Sequence, residues 1–316
     1  MSRFFEDSPV EQDRVSITAL MTAYARAYHA THDAPQIFDD FLAGRFFSDK
    51  EQAWFGARLV EALPLLNPKL AASHPDQATA LAWVMKNQTA PTTISRARYA
   101  EDALVSAVRG GVRQYILLGA GMDTFAFRQR EMMDQLAVFE VDHPATQAFK
   151  RRRLAELPWE LPPRLYFIPV DFSKDSLVAA LRRSPHEPAK ASFVSWLGVT
   201  YYLTREVVLS TLRSIAALAG PGGTVVFDYL DPNAFVPHRV AKRTQWTLEA
   251  VRRAGEPMKT GFDPATLAGD LESCGLRLQE NLSPSDIEDR YFAGRTDGYH
   301  ASPHIHFAQA IIERSP

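Results

Sequence analysis

The chain reads as an α/β protein: a doubly wound, mostly parallel seven-stranded sheet with an N-terminal helical lobe. Three observations predict this. Residues up to about Gly110 carry helical periodicity, and beyond that point short apolar runs alternate with helix-length segments. Third, the stretch YILLGAGMDTFAFR (Tyr115–Arg128) joins an apolar run to a helix through a two-glycine turn. The change of pattern divides the chain into a helical lobe or lid, 1–110, and a ligand-binding core, 111–316. With 316 residues and 46% apolar content, the chain is long enough for one large core and an appended lobe.

In the lobe, Val15–Ala30 sets Ile17, Leu20, Met21, Tyr24 and Tyr28 at near-helical spacing; Ala78–Asn87 and Ile94–Val108 follow suit. The first strand, Gln114–Gly119, is an apolar run of the kind covered on both faces. Gly119 and Gly121 then let the backbone turn and approach a ligand without Cβ clashes. A second strand, Ala137–Val141, ends at Asp142 and leads into a helix, Thr146–Leu157, whose basic run Lys150–Arg153 reads as a solvated face. Strands Leu165–Val170, Ser192–Leu197 and Gly223–Tyr229 complete the parallel body, with proline-containing loops at Leu157–Arg164 and Ser184–Lys190. Between the last two strands lies helix Arg205–Leu218, capped by Thr204 and stopped by Gly220-Pro221. Its Val207, Val208, Leu212, Ile215 and Leu218 form an apolar stripe for the sheet. Cys274 is the lone cysteine, which excludes an internal disulfide framework and a cysteine-rich zinc site. It follows the helical stretch Pro264–Ser273 and reads as a small core residue. The chain closes with Leu276–Leu282 and Ile305–Glu313, a terminal strand pair with one member antiparallel to the rest, separated only by Asp286–Thr296.

Composition narrows the partners. A net charge of −2 argues against a surface-wide nucleic-acid footprint. No apolar run approaches the length of a membrane span. The N-terminal MSRFFEDSPVEQD has charges where a leader would have its apolar region, so the expected location is cytoplasmic, with neither nucleic acid nor membrane as partner.

The glycine turn carries the chemistry. A full dinucleotide fingerprint needs Gly or Ala three residues after Gly121, where this chain has Thr124. That departure disfavours a pyrophosphate, and with it NAD, and favours an adenosine cofactor without one, such as S-adenosyl-L-methionine. Asp142, about 20 residues on, stands where a carboxylate can accept from both ribose hydroxyls. Glu140 shares its strand face but lies within the strand.

Several segments together resemble the leucine carboxyl methyltransferase family, in particular its bacterial branch of tetracenomycin-type polyketide O-methyltransferases. They are ITALMTAYARAYHATHDAPQIFDDFLA (Ile17–Ala43), ISRARYAEDAL (Ile94–Leu104), YILLGAGMDTFAFR, VFEVDHPATQAFKRR (Val138–Arg152), PVDF (Pro169–Phe172) and GVTYYLTRE (Gly198–Glu206). The resemblance implies a class I, Rossmann-like methyltransferase core. It also implies that Arg96 holds the methionyl carboxylate of the cofactor, Gly119 contacts the cofactor, Asp142 binds ribose, and Asp171 with Phe172 holds the adenine. A guanidinium suits a carboxylate through paired charge-assisted hydrogen bonds. Arg98 cannot share a helix face with Arg96 and reaches either substrate or solvent. A strand-end aspartate capping a turn through Ser173 is the other reading of Asp171. Where the family often has a glutamate near the methionyl amine, this chain has Leu197.

The implied function is methyl transfer to a carboxylate or phenolic hydroxyl of a small molecule, in secondary metabolism. A protein C-terminal carboxyl methyltransferase and a non-catalytic cofactor-binding scaffold are the alternatives. Tyr201 and His143 are the candidates for positioning the acceptor, with Tyr202 as a packing aromatic and Arg98 or a C-terminal histidine as helpers. His300, His304 and His306 read as strand-surface or pocket histidines rather than metal ligands, although His304 and His306 alternate onto one strand face; no metal is expected. Tyr24, Tyr28, Phe38, Phe41, Trp54 and Trp83 are candidate walls for a ring-bearing substrate, most of them expected in the core.

Overall fold

The computed structural model describes residues 15–312. The stretch MSRFFEDSPVEQD, on which the expected lack of a leader rests, and Glu313 lie outside the described residues. Among the described residues no helix is long and apolar enough to cross a membrane.

Seven strands form one sheet: β1 (Gln114–Leu118), β2 (Ala137–Asp142), β3 (Leu165–Pro169), β4 (Ser192–Trp196), β5 (Thr224–Leu230), β6 (Leu276–Leu282) and β7 (Ile305–Ile312). Their order is β3-β2-β1-β4-β5-β7-β6, with β7 antiparallel to both neighbours and every other pairing parallel. The chain leaves β1 toward one edge and returns to β4 on the other side. The carboxyl ends of β1 and β4 therefore flank the point where strand order reverses, the usual crevice of an open α/β sheet. The terminal pair arises as expected, and between its strands the chain makes only the short turns Pro284–Ile287 and Glu288–Phe292.

Alternation along the strands feeds two cores. Ile116, Leu118, Phe139, Val194, Trp196 and Phe227 face helix Arg205–Leu218, which contributes Val208, Leu212, Ile215 and Leu218. Tyr115, Leu117, Val138, Phe193 and Val226 face the other way and merge with Leu20, Tyr24, Ile94 and Leu104 of the N-terminal helices Ile17–His32 and Ala90–Arg109. Helix and sheet thus share one apolar cluster on that side. Thr204 caps Arg205–Leu218 by accepting from Val207 N at 3.5 Å. Cys274 is buried in the core beneath helix Arg205–Leu218, its thiol donating to Leu209 O.

Two expectations need correction here. Lys150 is no part of a solvated face: it is 1% exposed on the inner side of helix Pro144–Glu156. Its Nζ donates to Glu140 Oε2 and Asp123 O, both at 2.6 Å, because a carboxylate buried mid-strand in β2 requires a counter-charge. Arg151 and Arg152 remain exposed. His304 precedes β7 in a left-handed conformation (φ +68°), so it does not alternate with His306 along a strand.

Candidate active site

One cavity of about 980 Å³ lies over the carboxyl ends of β1 and β4, walled on the far side by the N-terminal helices and by Arg243–Lys259. Its two ends differ in chemistry.

At one end stand the acids that follow β2 and β3. Asp142 Oδ2 accepts from Gly121 N at 2.5 Å and Oδ1 from His143 N at 2.6 Å, so the carboxylate braces the glycine turn. Burial raises its pKa, against those two amides. Asp171 takes Ser173 N at 2.9 Å and Ser173 Oγ at 2.5 Å on one oxygen, while Lys174 Nζ lies 3.1 Å from the other. The Ser173 hydroxyl, its amide and Lys174 hold Asp171 down at about 2, so it is ionised. Asp171 thus caps its turn through Ser173, and it lines the cavity beside Phe172. His143 caps helix Pro144–Glu156, with Nδ1 accepting from Ala145 N at 3.2 Å and Nε2 lying 3.9 Å from Asp171 Oδ2. It sits at this acidic end with its side chain 48% exposed.

Toward the middle, Gly119 and Gly198 terminate β1 and β4, each at φ +73°. A Cβ on Gly119 would overlap Val199 Cγ2, and one on Gly198 would lie 2.5 Å from Arg96 Nη2. Both turns therefore need glycine on two counts, conformation and space. Arg96, 8% exposed on helix Ala90–Arg109, donates from Nη1 to Tyr201 Oη at 2.9 Å and to Asp228 Oδ2 at 3.0 Å. Asp228 Oδ1 accepts from Gly198 N at 2.6 Å, so one buried carboxylate fixes both the turn and the guanidinium. Among the described residues nothing accepts from Arg96 Nη2. Burial, reinforced by Asp228, drives the Tyr201 phenol well above its ordinary value.

Sequence reasoning does not find Asp228. Its one visible signal is a lone carboxylate inside the apolar strand TVVFDYL, all seven residues of which are buried. Leu197 lines the cavity as an apolar residue where an acid is often found.

The other end is apolar, walled by Met21, Phe38, Leu59, Leu65, Trp246 and Met258. Of the six aromatics expected to line a substrate chamber, only Phe38 does so. Tyr24 and Tyr28 pack inside the lobe, Trp54 stacks edge-on against Phe55, Trp83 packs against the same core, and Phe41 is 59% exposed. Arg98 does not reach the chamber; it faces solvent and pairs with Asp102 at 2.9 Å, one turn along the helix. The C-terminal histidines are engaged elsewhere: His300 pairs with Glu288, His304 with Asp231 at 3.0 Å, and His306 is buried against Tyr229. Two further lining residues are bonded to each other: Thr18 donates from N and Oγ1 to Glu256 Oε2 at 3.2 and 2.6 Å.

The model of one family, leucine carboxyl methyltransferase, matches residues 19–216. The chain belongs to that family. YktD of Bacillus subtilis (strain 168), by its name a candidate S-adenosyl-L-methionine-dependent methyltransferase, is 37% identical over 303 residues, covering 96% of this chain and 99% of its own. A Parafrankia relative of like name is 33% identical over 222 residues, 68% of this chain and 63% of its own. Among solved structures, an O-methyltransferase family protein from Burkholderia thailandensis aligns with 94% of this chain and 83% of its own at 15% identity and a TM-score of 0.49. The protein is thus a class I, S-adenosyl-L-methionine-dependent methyltransferase. Its cavity suits that cofactor: two acids at one end, a glycine cradle that a Cβ would fill, and a guanidinium whose Nη2 is unspent beside it.

Proposed function

We propose that this methyltransferase transfers its methyl group to an oxygen of a small acid or phenol, in the cytoplasm and in secondary metabolism. The observation that carries the reading is the set of apolar side chains, Met21, Phe38, Leu59, Leu65, Trp246 and Met258, that wall the cavity beside the cofactor residues. In this reading Arg96 receives the methionyl carboxylate on Nη2, while Asp228 and Tyr201 hold the guanidinium in place. Asp142 accepts from the ribose hydroxyls, Gly119 and Gly121 admit the cofactor close to the backbone, and Asp171 with Phe172 flanks the adenine. When bound, the cofactor would supply an electrophilic methyl carbon for the acceptor oxygen, its sulfur keeping the electron pair of the broken carbon–sulfur bond. The chain's part is to orient that oxygen and exclude water, which can supply several kcal/mol of acceleration.

Tyr201 and His143 are the sequence's candidates at the acceptor. Tyr201 is better read as a positioning residue for Arg96, since its hydroxyl is committed and its ionisation suppressed. His143 stands at the acidic end beside Asp171. With the Tyr201 phenol committed to Arg96, a carboxylate acceptor is favoured over a phenol. A carboxylate, with an ordinary pKa of about 4, is ionised at neutral pH and needs no base.

Calorimetry with S-adenosylhomocysteine and with NAD tests cofactor choice; tighter binding of the dinucleotide defeats it. Labelled-methyl screening of acids and phenols then tests the reaction. A carboxylate acceptor gives a rate that falls only at low pH, whereas a phenol gives one that rises with pH. Transfer confined to nitrogen or carbon acceptors overturns the oxygen assignment, and cofactor binding with no transfer points to a scaffold.

A further inference from the structure

Helix Lys242–Arg253 lines the cavity and carries a half-buried charge, Arg243, that the proposed reaction does not use. Arg243 Nη1 donates to two carbonyls, His300 O at 3.2 Å and Ala301 O at 3.4 Å. Its Nε and Nη2 are shut off from solvent and have no partner among the described residues. The nearest carboxylate, Glu288, is already taken by His300 Nδ1 at 2.9 Å and Ala301 N at 2.6 Å. Burial without a bonded acid pushes the Arg243 guanidinium down to about 10. Native proteins rarely leave buried donors unpaired, because each forfeits its hydration without a bond in return.

A second unpaired group belongs to another residue that lines the same cavity. Gln88 Oε1 is buried without a donor, and it sits in the π-helical turn Met85–Thr89, a distortion that recurs at functional sites. That turn packs directly against helix Lys242–Arg253, so the two orphaned groups come from touching elements. Both lie within reach of the reaction centre along helix Ala90–Arg109. Thr92 Oγ1 bonds Ser302 Oγ at 2.7 Å next to the carbonyls that hold Arg243. Arg96 is a single helical turn further on, about 6 Å along the axis.

We propose that Arg243 and Gln88 form the acceptor-binding subsite, and that the acceptor is a small-molecule carboxylate carrying a hydroxyl or N–H donor. Nε and Nη2 make up the side-on edge of the guanidinium, which matches the two oxygens of a carboxylate. Gln88 Oε1 repels that carboxylate and accepts from the donor group elsewhere on the molecule. The helix adds to the positive potential, because it starts at Ala241 without a capping side chain. The inference rests on the proposed reaction for its substrate, but it is a statement about binding.

The test uses the full chain saturated with S-adenosylhomocysteine and reads Trp246 fluorescence, one turn along the same helix. 4-Hydroxybenzoate and indole-3-acetate are titrated beside their carboxamides. The acids should bind at least about tenfold more tightly than the amides. Arg243→Met, which keeps the packing stem, should abolish that preference, and Arg243→Lys should restore part of it. Gln88→Leu should weaken 4-hydroxybenzoate while leaving benzoate unchanged. S-adenosylhomocysteine affinity and melting temperature of each variant establish that the fold and cofactor site persist. Equal binding of acid and amide, a preference that survives Arg243→Met, or no acid binding at millimolar concentration overturns the subsite. Failure of S-adenosylhomocysteine to bind the wild type would instead overturn the cofactor geometry proposed above.

Discussion

Arg96 illustrates how much one residue's role depends on its supports. A guanidinium whose Nη1 is held by Asp228 and Tyr201 presents Nη2 without further loss of side-chain freedom. Arg96→Ala should therefore weaken S-adenosylhomocysteine binding by about 2 kcal/mol. Arg96→Lys should recover only part, since an ammonium cannot span both partners and the ligand. Calorimetry decides; an unchanged dissociation constant in the alanine variant removes Arg96 from the site. The sequence makes Arg96, Asp142 and Asp171 visible because each adjoins a recognisable strand, turn or motif. Asp228 stays hidden because a strand-interior carboxylate looks the same whether it holds an arginine or a lysine. Glu140 with Lys150 is the second case in this same sheet. Arg98 misleads for a simpler reason: neighbours on a helix point apart, and only packing decides which one faces inward.

At the scale of elements, the turn after β4 links backbone conformation to ligand binding. Gly198→Ala brings a Cβ to within 2.5 Å of Arg96 Nη2 at a left-handed φ, so the substitution must displace the guanidinium or the turn. The expected outcome is a loss of cofactor affinity at least as large as that of Arg96→Ala, with a modest fall in melting temperature. Equal affinity with intact stability would place the Arg96 pocket elsewhere. The strands were legible almost to the residue, because buried parallel strands are short apolar runs bounded by turn residues. Helix Arg205–Leu218 was legible for a different reason, its cap and its continuous stripe. Helix Lys242–Arg253 was not. Its sequence KRTQWTLEAVRR buries only Thr244, because the face it turns inward looks onto a cavity instead of a core. A helix of that kind carries few apolar residues to mark its inward face.

For the molecule as a whole, the apolar cluster that runs from the N-terminal helices into the sheet makes the two regions thermodynamically dependent. Heating should give one transition, not separate melting of 1–110 and 111–316, with calorimetric and van't Hoff enthalpies in agreement. S-adenosylhomocysteine at a hundred times its Kd should raise stability by about 2.7 kcal/mol and move that single transition upward. Two resolved transitions, only one of them ligand-sensitive, would mean that the helices fold as an independent unit.

The pair of bonds from Thr18 to Glu256 has a kinetic consequence. It fastens the first helix to the segment after Gly255, both of which line the cavity, and it gates entry if ligand passes between them. Hydrogen bonds to a charged group are worth about 2 kcal/mol, which leaves roughly one molecule in thirty unfastened at a given moment. Ligand capture would then wait on unfastening, and release would be slowed by the same clasp. In stopped-flow mixing with S-adenosylhomocysteine, the observed rate should level off as concentration rises. Thr18→Val removes the shorter bond and should lift that plateau several-fold while shifting the equilibrium constant far less. Linear, identical rates in both proteins would mean the mouth stands open. If the plateau is real, the turnover rate of this methyltransferase is set at its doorway, by a threonine that never touches the transferred methyl group.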